Sequence, residues 1–312
     1  MFAFKDSMSS TTSAASGRKS GLLAEATLPA AIDAPCRYVD LPQAGRIAYY
    51  TNDMGNGRPL VLLHSVNAAP SAREMRPLFE HYRNERPVYA PDLPGFGRSE
   101  RRDRDYSPAL YAEFIRHFLR DVVAKPADII AFSLSAELGA RAIVGSPELC
   151  RSLVMISPTG FSQRQPPSGP PTDRILKVLR LPILGGSLFN MLTSRLSIRH
   201  FIGLSFAGKP PADLVDYAYA TAHQPGARYA PFTFLSMKLF TPDADRELFE
   251  PLRMPVLVLY DQDPNVSFER LGAFESKDNW HIRRISPTRG LPHWERMEQT
   301  VEALDAFWDS ID

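Results

Sequence analysis

Two serines stand at an abrupt break in "DIIAFSLSAELGARA", Asp128 to Ala142. A serine hydroxyl is a weak nucleophile until a base takes its proton, and enzymes present it on a sharp turn between a strand and a helix. That turn strains the nucleophile's backbone and needs small residues two places before and two after it. Around Ser133 those residues are Ala131 and Ser135; around Ser135 one of them would be Glu137, which is too large. Ser133 is therefore the candidate nucleophile. The competing reading makes it a helix N-cap, with Glu137 near the helix's positive end. A formal G-x-S-x-G match lies elsewhere, in "GLSFA" from Gly203 to Ala207, but it follows helical sequence with no strand before it.

The acid and the base must follow in the order serine, carboxylate, histidine. "VLVLYDQDP" supplies Asp261 and Asp263 behind a strand. Asp263 opens the loop ahead of Pro264 and is the preferred acid; Asp261 is the alternative, or a turn residue. Among the seven histidines, His293 in "GLPHWERME" falls between the last strand and the last helix. His281 lies inside a strand, and His81, His117, His200 and His223 lie in helical patterns. A plain helix-start histidine is the other reading of His293. In a working set the neutral imidazole takes the serine proton and the carboxylate fixes its tautomer. Backbone N–H groups must hold the oxyanion: Leu134, just after the nucleophile, and Val66, in the loop after "VLLHS".

The elements that must position these residues alternate. "RYVDLP" and "RIAYYTND" read as a hairpin turned at Gln43-Ala44-Gly45. "PLVLLHS", "RPVYAPD", "DIIAF" and "RSLVMIS" read as strands, the first of them buried on both faces. Helices fall between them: "SAREMRPLFEHY", with Met75, Leu78, Phe79 and Tyr82 on one side, and "SPALYAEFIRHFLRDVV", opened by Ser107 and Pro108. The alternation resumes with "MPVLVLYDQD" as a strand, "FERLGAFES" as a helix, "WHIRRIS" as a strand and "ERMEQTVEALDAFWDSI" as a final helix. This pattern predicts an α/β fold with a mostly parallel central sheet and helices on both faces. Residues 36–157 and 252–312 form the core. Residues 158–251 break the alternation with a Pro-rich loop and the helical pieces "DRILKVLRL", "GGSLFNMLTSRLSIRHFIGL", "PADLVDYAYATA" and "YAPFTFLSMKLF". They predict a helical cap over the carboxyl edge of the sheet, where open α/β sheets bind ligands.

Composition narrows the function. A hydrophobic fraction of 44% and a charged fraction of 23% belong to an ordinary globular chain. A formal charge of +1 supplies no long-range field for nucleic acid or an anionic membrane. No apolar run reaches the roughly 18 residues of a membrane span. Cys36 and Cys150 read as free thiols rather than a disulfide framework or zinc cluster, in keeping with a reducing compartment. Residues 1–35, rich in Ser, Thr, Ala and Gly, are expected to be disordered, and Lys5 precedes no apolar stretch of a secretory signal. A cytoplasmic location is the resulting expectation. "GFGRSE" lacks the ending of a phosphate loop and the spacing of a dinucleotide loop, so neither a cofactor nor a metal is expected.

From about Arg37 to Ile311 the chain resembles the α/β-hydrolase fold superfamily. "LLHSVNAAPS" resembles its His-Gly-x oxyanion loop, with Ser65 where a glycine is usual. "DLPGFGRSE" resembles its Asp-x-x-Gly-x-Gly-x-Ser loop, the most specific of the matches. "AFSLSAE" resembles the nucleophile elbow, and "LPHWERMEQTVEALDAFW" the histidine loop and last helix. The elbow glycines are missing and the acid turn is about one residue short. The resemblance implies a triad of Ser133, Asp263 and His293 with Val66 and Leu134 as oxyanion donors. It disfavours haloalkane dehalogenase and epoxide hydrolase chemistry, which use an aspartate nucleophile. The expected activity is cleavage of an ester or related acyl bond through an acyl-enzyme. The substrate would be small to medium and apolar, held by cap side chains such as Phe189, Met191, Phe201, Phe206, Tyr217, Tyr219, Phe232, Phe234 and Met237. Carbon–carbon bond cleavage by the same triad and non-catalytic ligand binding are the alternatives.

Overall fold

The computed structural model describes residues 28–311. Residues 1–27 of the segment expected to be disordered lie outside them. Residues 28–35, read with that segment from composition, instead pack on the core. Ala31 and Ile32 are fully buried, and the Arg98 guanidinium donates to the Leu28 carbonyl at 2.7 Å.

Among the described residues the strands are β1 (Cys36–Leu41), β2 (Gly45–Thr51), β3 (Leu60–Leu63), β4 (Val88–Pro91), β5 (Ala127–Phe132), β6 (Cys150–Ile156), β7 (Val256–Tyr260) and β8 (Trp280–Arg284). They form one sheet in the order β1-β2-β4-β3-β5-β6-β7-β8. β1 and β2 pair antiparallel, as do β2 and β4; every later pair is parallel. The central strands are apolar at successive positions because both faces are covered. Val61, Leu63, Ile129, Ala131, Val256 and Val258 enter one core, and their neighbours Leu60, Leu62, Ile130, Phe132, Leu257 and Leu259 enter the other. Leu63 pairs with Ala131, Ala131 with Met155 and Met155 with Val258. The loops after these four strands therefore leave the same edge of the sheet.

The helices are α1 (Arg76–Tyr82), α2 (Pro108–His117), α3 (Ser135–Val144), α4 (Pro170–Leu179), α5 (Pro182–Leu192), α6 (Arg195–Leu204), α7 (Ala212–Ala222), α8 (Tyr229–Leu235), α9 (Pro292–Glu295) and α10 (Met297–Ile311). Helix α2 starts as its sequence requires, with the Ser107 hydroxyl accepting from the Leu110 amide at 3.2 Å and proline at the first position. Three boundaries differ from the sequence reading. "GGSLFNMLTSRLSIRHFIGL" is two helices, because Ser194 caps a new one by accepting from the Ser197 amide. The last helix is likewise two, broken at Arg296, where φ is −138°. "FERLGAFES" forms only a short 3-10 turn, Leu271–Phe274, with Leu271 and Phe274 turned into the core.

The "DLPGFGRSE" loop behind β4 is built around a buried carboxylate. Asp92 accepts from the amides of Ala72 at 2.8 Å and Arg98 at 2.9 Å. A side chain at Gly97 would collide with that carboxylate, and φ there is +51°, so glycine is required on two counts. This loop braces the neighbouring site loops.

Candidate active site

β5 ends at Phe132 and α3 begins at Ser135, so the chain must reverse across two residues. Ser133 does this at φ +57°. The left-handed region costs a non-glycine residue roughly 1–2 kcal/mol and persists only when neighbours enforce it. Here the Ser133 amide donates to the Ile156 carbonyl of β6 at 2.9 Å, and its carbonyl accepts from Ala136 at 3.1 Å. Ser135 is fully buried, and its hydroxyl donates to the His64 carbonyl at 2.5 Å. Its hydroxyl is thus engaged in tying the turn to β3. The Ser133 side chain instead faces a pocket and makes no hydrogen bond among the described residues. Ser205 of "GLSFA" also reaches that pocket, but it closes the end of α6 at φ −88° and has no elbow geometry.

The facing loop follows β3. His64 is buried, and burial pushes it down to about 4. Its Nε2 accepts from the Leu93 amide at 2.9 Å, so Nδ1 carries the proton and donates to the Ser65 carbonyl at 2.6 Å. Glu74 lies beneath the loop. Its carboxyl group accepts from the Ser65 amide at 2.8 Å, the Ser65 hydroxyl at 3.0 Å and the Asn67 amide group at 3.2 Å. Burial raises Glu74 to about 7 against the pull of those hydrogen bonds. These contacts hold the residues on either side of Val66, which lines the pocket together with Leu134. The amides of Val66 and Leu134 have no acceptor among the described residues. Sequence reasoning missed Glu74 because it reads as a solvent-facing position on a helix. That stretch is a 3-10 turn, Ala72–Met75, before α1, which rotates Glu74 under the loop.

The two aspartates separate by their partners. Asp261 accepts from Arg284 Nε at 2.7 Å and from the Thr288 amide at 2.8 Å. Burial opposes its ionisation, yet those donors hold its carboxyl below the usual range. Asp261 thus ties the loop after β8 to the end of β7. Asp263 lies in the pocket wall with Ser133. One of its oxygens accepts from the Asn265 amide at 2.8 Å, and burial pushes the group up to about 6. Its other oxygen faces Gly290, where a Cβ would come within 2.7 Å of it.

Ser133, Asp263, Val66 and Leu134 therefore meet at one pocket, and His293 does not join them. Its side chain is fully buried behind Phe132, with ring centroids 5.3 Å apart. His293 Nε2 lies 2.9 Å from the Glu74 carbonyl, which also accepts from Trp294 Nε1 at 2.7 Å. A carbonyl only accepts, so Nε2 carries the proton. A triad needs the opposite arrangement, with Nε2 accepting from serine and Nδ1 donating to the acid. Here Nδ1 is buried and has no hydrogen-bond partner among the described residues. The expected contacts of His293 with Ser133 and Asp263 are not formed, and the placement drawn from chain order is corrected. The reason is local. The short helix α9 turns His293 inward, and Gly290, at φ +118°, is the residue of this loop that meets Asp263.

Burial pushes His293 down to about 4. As pH falls, the unfolded chain takes up this proton first, near 6.5. The contribution of His293 to stability is thus complete above about pH 6.5 and falls by about 1.4 kcal/mol per pH unit down to about pH 4. Urea unfolding of wild type and His293→Gln should show their difference shrinking by roughly 3 kcal/mol across that window. A constant difference would mean that His293 titrates normally in the folded chain.

The pocket encloses about 380 Å³. Its far wall comes from the helices between β6 and β7, through Leu192, Ile198, Phe201, Leu214, Ala218 and Phe234. Of the side chains expected to hold an apolar substrate, Phe201 and Phe234 line it. Phe189 and Phe232 pack edge to face at 5.8 Å within the helical layer, and Phe206 and Tyr217 join the core beneath. Among the described residues no histidine lines the pocket, and no cluster of His, Cys, Asp and Glu could hold a metal.

The profile of the alpha/beta hydrolase family matches residues 60–303. A 2-hydroxymuconate semialdehyde hydrolase of Pseudomonas putida is 34% identical over 129 residues, covering 39% of this chain and 46% of that protein. The 1-acylglycerol-3-phosphate O-acyltransferase ABHD5 of Rattus norvegicus is 29% identical over 119 residues, covering 37% of this chain and 33% of that protein. The matched stretch thus spans less than half the length of either relative. A thermophilic esterase from Thermogutta terrifontis shares the fold with a TM-score of 0.68 at 15% identity, over 89% of this chain and 99% of that one.

Proposed function

Because the chain belongs to the alpha/beta hydrolase family, we propose that it binds a small to medium, largely apolar acyl compound in this pocket and is acylated by it on Ser133. The observation that supports this reading is the left-handed Ser133, which lines the same largely apolar pocket as Val66 and Leu134. Ser133 Oγ attacks the carbonyl carbon of an ester. The carbonyl oxygen gains the negative charge and takes hydrogen bonds from the two amides. The carbon–oxygen bond then breaks, the alcohol leaves with the serine proton, and an acyl-Ser133 remains for water to hydrolyse. Asp263, which lines the pocket as Glu74 also does, would orient a proton acceptor. The helices of residues 158–251 act as the cap that sets the acyl preference.

The position of His293 favours a second reading, in which the pocket holds its acyl ligand without turning it over. Treating the full chain with a fluorophosphonate and with p-nitrophenyl esters of increasing length separates the two. Acylation predicts a mass adduct that maps to Ser133. Tight reversible binding with no adduct from any reagent would establish the second reading. Phe234→Ala should also change the ratio of Ser133 acylation rates between short and long esters, since one methylene in an apolar pocket is worth about 1–3 kcal/mol. An equal change for all esters would take Phe234 out of the selectivity wall.

A further inference from the structure

Among the described residues, helices α4, α5 and α6 carry large apolar side chains that stay exposed. Ile183 is 86% exposed, Leu196 82%, Met191 62% and Phe201 53%, with Val178 and Leu184 beside them in the chain order of the same helices. Scattered apolar residues on a surface are ordinary; their concentration on three successive helices that pack on one another makes this face a candidate interaction surface. The helices are built into one layer. α4 and α5 meet at 89°, and Gly185 packs so closely on the Leu179 carbonyl that a Cβ there would overlap it. α5 in turn packs on α6.

Charge identifies what the layer faces. No charged residue occurs from Leu181 to Ser194, whereas Arg174, Lys177 and Arg180 precede that stretch and Arg195 and Arg199 follow it. Asp173 is the acidic residue of these three helices, and it is paired with Lys238 at 2.7 Å. Arg174, Lys177 and Arg199 are exposed and make no ion pair among the described residues. An apolar centre flanked by cations is the pattern of a helix lying in the headgroup plane of a bilayer. A second copy of this chain would set those cations against their own kind. The small charge of the whole chain is no obstacle, because screening in salt limits exposed charges to a range of about 8–10 Å. Local charge is what a surface meets. Helix α5 has 11 residues, too few to cross a membrane, so contact would be lateral.

We propose that the α4–α6 face docks on an anionic lipid surface and that the pocket takes its acyl ligand from that surface. Leu192, Ile198, Phe201 and Ile202 line the pocket from these same helices, and Phe201 belongs to both the pocket wall and the exposed cluster. An acyl chain leaving the bilayer here would meet Phe201 at the pocket wall. The second half of the proposal rests on the acyl reading of Ser133; the docking does not.

Co-sedimentation of the full chain with phosphatidylcholine vesicles, with and without phosphatidylglycerol, tests the docking. Binding is expected only with phosphatidylglycerol present, and should weaken as salt rises. The triple change Arg174→Gln, Lys177→Gln, Arg199→Gln should lower partitioning roughly a hundredfold. The double change Ile183→Ser, Leu196→Ser should also lower it, with an unchanged melting temperature showing that the fold is intact. Equal binding to both vesicles, no binding, or an unaffected triple variant overturns the docking. So does a lipid-independent dimer that the double variant dissolves. A long-chain p-nitrophenyl ester should acylate Ser133 faster when carried in the anionic vesicles. Docking without that gain overturns the ligand source alone. Inertness of Ser133 even to fluorophosphonate overturns the acyl reading and leaves the docking standing.

Discussion

Ser133→Ala is expected to abolish covalent capture of a fluorophosphonate and release of p-nitrophenol from any ester the wild type cleaves. Loss of a serine nucleophile costs orders of magnitude in turnover. The fold should survive, because the contacts that hold the elbow use the Ser133 backbone and the Ser135 hydroxyl. Alanine at a φ of +57° carries the same backbone strain as serine, so stability should change little. Peptide mapping of labelled wild type must place the adduct on Ser133. Label retained by Ser133→Ala and lost by Ser205→Ala would move the nucleophile to the second pocket serine. Ser135→Ala should act through structure, by freeing a buried carbonyl at His64, and should lower the melting temperature.

Much of this site is legible in the sequence because its signals are local. The elbow requires small residues at fixed spacing, and Ala131 and Ser135 satisfy that steric rule where Glu137 cannot. The strands are legible because doubly buried strands must be apolar at successive positions. What the sequence hides depends on rotation. Asp261 and Asp263 stand two apart behind the same strand, and only the structure shows Arg284 and Thr288 engaging Asp261. Glu74 looks like any helix-surface glutamate until a 3-10 turn swings it under the Ser65–Asn67 loop. His293 has the correct order in the chain and the wrong direction in space. One helical turn after Pro292 aims it at the Glu74 carbonyl, while Gly290, three residues earlier, lies against the acid. Chain order constrains which residues can meet; it does not set where each side chain points.

The consequence for chemistry is that Ser133 and Asp263 share a pocket with no imidazole lining it among the described residues. Imidazole supplied from solution should therefore accelerate Ser133 acylation. The small ring can enter a pocket of about 380 Å³, accept the serine proton at one nitrogen and donate from the other to Asp263. A positioned general base contributes on the order of 10²–10⁴-fold, so a gain of about 10² in the rate of fluorophosphonate labelling is the expected scale. The sign of the pH dependence follows from the two groups. Imidazole must be neutral and Asp263, pushed up to about 6 by burial, must be ionised. The gain should accordingly be small at pH 5 and large above pH 7, rising through the range in which both lose a proton. Asp263→Asn should remove most of it, since an amide cannot accept and stabilise the charged ring as a carboxylate does. Ser133→Ala measured in parallel subtracts the direct attack of imidazole on the reagent. Equal acceleration in Asp263→Asn would show that imidazole acts on Ser133 without the acid. No acceleration beyond the solution reaction would remove Asp263 from the chemistry and leave the pocket as a binding site.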